Sequence, residues 1–234
     1  MIFVTDAHVA PQLGNVEPFF AMLDHLAKSD EDLVFMGDIF DLWIGHARYE
    51  GAEHRRFLAW CRDQKQRRRI GFVEGNHEFY VVRRHRECFT WSDEAALARR
   101  DLGLLIVHGD LINRADTQYL RWRKLSKSWG MRWFIRLLPF GGRLVQRLKK
   151  NLKNTNKEFR LGLPKEALAA YADEQLDGKV RRIVVGHFHA AHRVQVGEGV
   201  LDVLPDWYAT GQIAVFRPEE QVLKTIPWSE YAAP

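Results

Sequence analysis

The sequence predicts an α/β fold, strands flanked by helices, and three observations carry that reading. Short, almost wholly apolar runs recur along the chain. Segments of helical period separate them. The runs end at, or are closely followed by, loops bearing Gly, Asp, Asn or His.

In chain order, Ile2-Phe3-Val4 reads as the first strand, and Asp6 and His8 follow it. Residues 18–28 have the pattern of a flanking helix. Leu33-Val34-Phe35 is the next strand, closed by Met36-Gly37-Asp38, and a second helix fits residues 52–64. The loop Gly75-Asn76-His77-Glu78 comes next, and then Leu104-Leu105-Ile106-Val107 leads into His108-Gly109-Asp110. Residues 164–176 read as a third helix, before Ile183-Val184-Val185 and the loop Gly186-His187-Phe188-His189. Residues 200–203 and 212–216 read as late strands, belonging to a second sheet. No internal repeat or low-complexity linker interrupts this order. A single domain over residues 1–234 is therefore expected, with residues 115–160 as a helical lid inside it.

Composition narrows the function classes. No apolar run approaches the roughly 18 residues of a membrane span. The N-terminus lacks the basic leader of a signal peptide and reaches Asp6 at once. Cys61 and Cys88 do not make a disulfide framework, and Cys61, in a helix-like segment, is expected to be a small core residue. The expectation is a cytoplasmic protein.

The strand-end loops carry the chemistry. In an extended strand residues i and i+2 point to one side, so Asp6 and His8 are expected to converge past the first strand, and His187 and His189 past Val185. Open α/β sheets place ligands beyond the carboxyl ends of their strands. Gathered there, Asp6, His8, Asp38, Asn76, His108, His187 and His189 offer two carboxylates, a carboxamide and four imidazoles. Mixed oxygen and nitrogen donors suit Mn, Fe, Zn or related divalent ions. Two such ions about 3.5–4 Å apart can clamp both the attacking and the leaving oxygen of a phosphoryl transfer. Asp38, alone on its loop, is best placed to bridge them. Ordinary turn chemistry accounts for any single Gly-Asp or Gly-Asn pair, but not for five motifs in this order after apolar runs. The histidines outside the motifs, His25, His54, His85 and His192, read as surface or helix residues. His46, just past Trp43-Ile44-Gly45, is near enough to Asp38 in sequence to reach a substrate.

The net charge of +5 is concentrated in one place. Residues 117–157 hold 12 basic and no acidic residues, leaving 23 of the 35 basic residues to face all 30 acidic ones elsewhere. Trp122, Trp129, Trp133, Phe134, Ile135, Leu137 and Phe140 interleave with the charges at broadly helical spacing, and Pro139-Phe140-Gly141-Gly142 reads as a break between two helices. A basic amphipathic helix fits an anionic membrane surface or lipid. A hairpin packed on the core, with its basic faces solvated, fits the same pattern. So does a nucleic-acid grip of cations and stacked rings.

The motif order resembles the calcineurin-like metallophosphoesterase superfamily over roughly residues 1–215. Within it the chain is similar to the UDP-2,3-diacylglucosamine pyrophosphohydrolases of lipid A synthesis. That closer likeness rests on Asp38-Ile39-Phe40-Asp41-Leu42-Trp43-Ile44-Gly45, on His108-Gly109-Asp110 with Asp116 and Tyr119 downstream, and on the long basic insert before Gly186. The resemblance implies a two-sheet αββα sandwich with a helical lid. It implies one ion on Asp6, His8, Asp38 and His189 and another on Asp38, Asn76, His108 and His187, most readily Mn2+. His77 would act on the phosphoryl group or the leaving group. Asp116, Tyr119, Lys153 and Asn156 would line the substrate pocket. It also turns the lid toward a lipid-linked sugar nucleotide at the inner membrane surface, and away from nucleic acid. A non-catalytic scaffold would be expected to have lost ligands, and this chain keeps all seven. Two positions depart from the pattern. Glu78 stands where the superfamily usually has Asp, which bears on how His77 is oriented. His77 itself stands where the lipid A hydrolases commonly carry Arg, which pulls toward a generic phosphodiesterase or a nucleotide pyrophosphatase with no lipid substrate. Asp41 stands where a Glu is frequent; capping the helix that follows and supporting the metal ligands from outside are both open to it.

Overall fold

The computed structural model describes residues 1–137 and 162–232. Its strands are β1 (Ile2–Val4), β2 (Leu33–Phe35), β3 (Trp43–Ile44), β4 (Ile70–Val73), β5 (Glu78–Phe79), β6 (Trp91–Asp93), β7 (Ala96–Arg99), β8 (Leu104–Val107), β9 (Arg182–Val185), β10 (His192–Val196), β11 (Gly199–Val203), β12 (Gln212–Arg217) and β13 (Val222–Pro227). The first sheet has the order β13-β12-β1-β2-β4-β6, and the second β10-β11-β9-β8-β7. β1, β2, β4 and β6 run parallel, as do β11, β9 and β8. Their carboxyl ends therefore deliver loops to shared crevices.

Alternation within the strands divides the core. Ile2, Val4, Leu33, Phe35, Ile70 and Phe72 face helices α1 (Val16–Leu26) and α2 (Ala52–Gln64), against Phe19, Leu23 and Phe57. Phe3, Val34 and Val73 meet Leu104, Ile106 and Val184 between the sheets. Leu105, Val107, Ile183 and Val185 face Leu168 and Ala172 of the Lys165–Gln175 helix. The layers are helix, sheet, sheet, helix, so the central strands are apolar on both faces. The expected helices at 18–28, 52–64 and 164–176 are all present within two residues. One strand is placed differently from expectation. β11 lies in the second sheet, but β12 lies in the first, antiparallel to β1 with Ile2 opposite Val215. Ile213 and Val215 pack on the helix side while Ala214 and Phe216 pack between the sheets. A run buried on both faces announces a core strand without announcing its partner.

The lid begins as α4 (Thr117–Ser126) and α5 (Trp129–Leu137). The helical break in the described residues comes at Lys127-Ser128. The expected break at 139–142 lies outside them, as do Lys153 and Asn156. Tyr80 donates its hydroxyl to the carbonyls of Ser126 (2.6 Å) and Ser128 (3.0 Å), pinning this break. Ile135 and Trp122 pack on Ile44, Phe79 and Tyr80. Two of the lid's cations turn inward. Lys127 Nζ donates to Glu74 Oε2 (3.2 Å) and to the Gly75 carbonyl (2.9 Å), and Arg123 pairs with buried Asp110. Burial would raise the Asp110 carboxyl, but Arg123 first, then His108 and Lys127, hold it well below the usual carboxylate range. A depressed carboxylate contributes its stability above the unfolded range of about pH 4 and loses it as pH falls below that. Arg123→Ala should accordingly cost roughly 3–5 kcal/mol near neutral pH, because it leaves a buried carboxylate without its guanidinium. The lowered urea midpoint is the measurement, and adding Asp110→Asn should recover most of the loss.

Candidate metal centre

The expected ligands come together, though not through the pleat of a strand. Asp6 (φ 51°) and His8 (φ 44°) lie beyond β1 in left-handed backbone, and Asp38 (52°), His187 (68°) and His189 (49°) share that conformation. Non-glycine residues are strained there, and such strain concentrates at functional sites. Asp6 and His8 converge as expected. His187 and His189 separate, His187 to Asp38 and His108 and His189 to Asp6 and His8.

Ligand atoms of Asp6, His8 and His189 form one group within 4.8 Å, and those of Asp38, His108 and His187 form another. A third, of His8, Asp38 and His77, links the two. Asn76 joins the second group, with Oδ1 3.0 Å from His108 Nε2. His8 Nε2 and His189 Nε2 lie 3.4 Å apart, and His108 Nε2 lies 3.5 Å from Asp38 Oδ1. Close approach of the loops needs glycine at two places. A Cβ on Gly75 would fall 2.1 Å from Asp38 Oδ1, and one on Gly37 2.6 Å from His108 Nδ1.

The donor set fits two divalent ions. Asp6 is fully buried; its Oδ2 accepts from the His187 N–H (2.8 Å), while Oδ1 makes no aligned hydrogen bond and lies 3.3 Å from His189 Nε2. An oxygen left this way among imidazoles is what a cation satisfies. His108 gives its Nδ1 side to the Met36 carbonyl (2.9 Å), which turns Nε2 to the site, the outer hydrogen bond that metal-binding histidines commonly make. Burial holds His8 and His187 down to about 4, so both stay neutral, the form in which an imidazole ligates a cation. Burial also draws His108 down, but Asp38, then Asp6, Asp110 and Glu78, outweigh it and lift it to about 8.

Glu78 has a role the sequence did not show. Fully buried, it accepts from the backbone N–H groups of Asp38 (2.7 Å), Ile39 (2.8 Å) and Gly75 (2.8 Å), locking two ligand loops together. Burial, then the Asp38 charge, pushes its carboxyl up to about 7. Glu78 does not orient His77. The Asp41 carbonyl does, 2.6 Å from His77 Nδ1, which leaves Nε2 3.7 Å from Asp38 Oδ2. Asp41 caps no helix; no helix begins until Ala52, and its carboxylate accepts from Gln12 instead (3.2 Å). Asp206 was also missed. It is buried, caps the short Trp207–Thr210 helix, and lies 3.9 Å from His189 Nδ1. Its signal was only a carboxylate after a strand, as weak as any single loop motif.

Among the expected substrate contacts, Asp116 caps α4 by accepting from the Tyr119 N–H (2.8 Å), and Tyr119 donates its hydroxyl to Asp110 (2.7 Å). His46 accepts from the Arg48 N–H (3.2 Å) and packs on Tyr49. His25 lies on α1 against the Tyr231 carbonyl, His54 lies in the first turn of α2, His85 ends α3 (Val81–His85), and His192 opens β10. Cys61 and Cys88 are both buried and unbridged.

Two ligand clusters linked through His8 and Asp38, on a helix–sheet–sheet–helix sandwich, fit a metal-dependent hydrolase of phosphate esters and anhydrides. The family model for calcineurin-like phosphoesterases matches residues 1–191, and the chain belongs to that family. A UDP-2,3-diacylglucosamine hydrolase of Vibrio cholerae serotype O1 is 27% identical, covering 92% of this chain and 93% of the relative. Another of that name, from Photobacterium profundum, is 24% identical over 98% of both chains. An archaeal phosphodiesterase of known structure aligns over 96% of this chain and 97% of its own at 13% identity, with a TM-score of 0.46.

Proposed function

We propose that this chain hydrolyses the pyrophosphate of UDP-2,3-diacylglucosamine, giving 2,3-diacylglucosamine 1-phosphate and UMP, at the inner face of the cytoplasmic membrane. The observation that carries the reading is the placement of the lid. The α4–α5 break is tied to the Gly75 loop of the metal site by Lys127, while α5 leaves Trp129 (69%), Trp133 (42%) and Phe134 (53%) exposed. A phosphate-cleaving site thus adjoins a basic helix with unburied aromatic groups, the pairing an acylated sugar nucleotide requires. The relatives named for that activity support the same substrate. No helix among the described residues is long and apolar enough to cross a membrane.

The proposed ligands are Asp6, His8, Asp38 and His189 for one ion and Asp38, Asn76, His108 and His187 for the other; the family resemblance favours Mn2+, and Fe and Zn suit the same mixed donors. Bound there, the ions would acidify a water and polarise the phosphoryl oxygens. Asp38 holds the two halves in register, and Glu78 fixes the loops that carry Asp38 and Asn76. His77, its Nδ1 held by Asp41, presents Nε2 to the cleft and steadies the phosphoryl group or gives a proton to the leaving group. Asp116, Tyr119, Lys153 and Asn156 are the proposed sugar-nucleotide contacts. No nucleic-acid partner enters this reading.

The test is Mn-dependent release of UMP from UDP-2,3-diacylglucosamine, measured beside bis-p-nitrophenyl phosphate. The lipid should be strongly preferred. Equal or greater activity on the diester would favour a generic phosphodiesterase, the direction in which His77 pulls. Cutting Trp129, Trp133 and Phe134 to Ala should separate the substrates further. Each buried apolar side chain is worth roughly 1.5–3 kcal/mol, so losing even two contacts should cost about 10²-fold on the lipid. Being exposed, these residues should leave the fold and the diester reaction nearly untouched. Equal losses on both substrates would make α5 a structural element only.

A further inference from the structure

A second set of ligand-type side chains lies where the chain leaves α3. His85 is its last residue, and Glu87 and Cys88 sit in the single turn Arg86–Cys88 that follows. A ring nitrogen, a carboxylate oxygen and the sulfur of these three lie within 4.8 Å of one another. We propose that His85, Glu87 and Cys88 form a mononuclear site for a zinc-class cation, separate from the dinuclear centre.

Geometry is the first argument. Zinc bonds of about 2.3 Å to sulfur and 2.0–2.2 Å to oxygen, at the tetrahedral angle, put those two atoms roughly 3.6 Å apart. Cys88 Sγ and Glu87 Oε1 lie 3.5 Å apart, the thiol donating a hydrogen bond across the gap that a cation would take over. Thiolate, imidazole and carboxylate together select zinc-like ions over the hard cations.

The surroundings supply what such a site needs beyond its ligands. Glu50 accepts from His85 Nε2, so a neutral His85 carries its lone pair on Nδ1, and carboxylate–histidine–metal arrays use this device to fix the ring. Trp43 stacks on His85 (6.0 Å between ring centres, 28° between planes) and donates to the same Glu50 (3.3 Å). Arg62 Nη1 donates to Cys88 Sγ (3.3 Å), an outer hydrogen bond suited to a thiolate. The charges balance: thiolate and Glu87 neutralise a divalent ion, and Glu50 and Arg62 neutralise each other. His85 and Cys88 are buried while Glu87 is exposed, which gives an entry path. Without an ion Cys88 remains a thiol, pushed up to about 11 by burial and by Glu87, and that proton is the one a cation displaces.

Cobalt distinguishes this site from the dinuclear one, whose donors include no sulfur. With the Mn-loaded protein, added Co2+ should produce a thiolate-to-cobalt charge-transfer band in the near ultraviolet, saturating at one ion per chain. Elemental analysis in excess zinc should find near three ions in place of two. Cys88→Ser should abolish the band and the third ion while hydrolysis is kept. Glu87→Gln, at an exposed position that leaves folding alone, should keep the band but weaken cobalt binding by about 10-fold or more. Absence of the band in the parent protein would overturn the site, as would its persistence in Cys88→Ser. Unchanged affinity in Glu87→Gln would remove Glu87 as a ligand and overturn the three-residue assignment.

Discussion

Asp38→Ala is expected to empty the dinuclear site. Asp38 is the one residue present both in the cluster with His108 and His187 and in the cluster with His8 and His77, and it is almost fully buried. Its Oδ1 also accepts from the His77 N–H (2.9 Å), so the substitution releases the loop that carries Asn76. Metal content by elemental analysis should fall from near two ions per chain toward zero. Hydrolysis of lipid and diester substrates should fall together by at least about 10³-fold, since several kcal/mol of charge stabilisation leave with the ions and each 1.4 kcal/mol or so is a factor of ten. A variant that still holds two tight ions would remove Asp38 from its bridging position.

Much of this site could be read from the sequence because its logic is topological. Residues just past the carboxyl ends of parallel strands meet whatever the intervening sequence does, so Asp6, Asp38, His108 and His187 were identifiable from apolar runs and loop residues alone. The manner of their meeting was not. The alternation rule brings Asp6 and His8 together for the wrong reason, since both lie beyond β1 in left-handed turns. No residue type announces that: these positions hold Asp and His, not glycine, and the strain is sustained by the packing and hydrogen bonds around them.

Glu78 and the lid show the same limit. A glutamate next to a motif histidine reads as that histidine's partner, yet its carboxylate turns to three backbone N–H groups, a bond pattern without sequence periodicity. The orienting of His77 fell to a carbonyl, which any residue at 41 would supply. In the lid, a segment of 12 cations and no anions reads as a solvated or lipid-facing surface, and most of its described charges leave that reading intact. Arg123 and Lys127 depart from it because Asp110 and Glu74, remote in sequence, are buried beneath them. β12 was identifiable as a strand and not as a neighbour of β1, because both its faces are covered.

His77 allows the sharpest separation of binding from chemistry. It shares a cluster with His8 and Asp38, so a ligand role and a catalytic role are both open to it geometrically. Its hydrogen bonding, with Nδ1 on the Asp41 carbonyl and Nε2 3.7 Å from an Asp38 oxygen, is the same as that of His108 and suits either role; the family resemblance assigns the second. His77→Ala should therefore leave metal content near two ions per chain while the rate falls by about 10²–10⁴-fold, the range for a positioned acid–base group. The loss should appear in kcat for both the pyrophosphate and the diester, because the group acts on the phosphoryl centre that the substrates share. Loss of an ion from this variant would make His77 a ligand. Unchanged kcat with intact metal content would take it out of the reaction altogether.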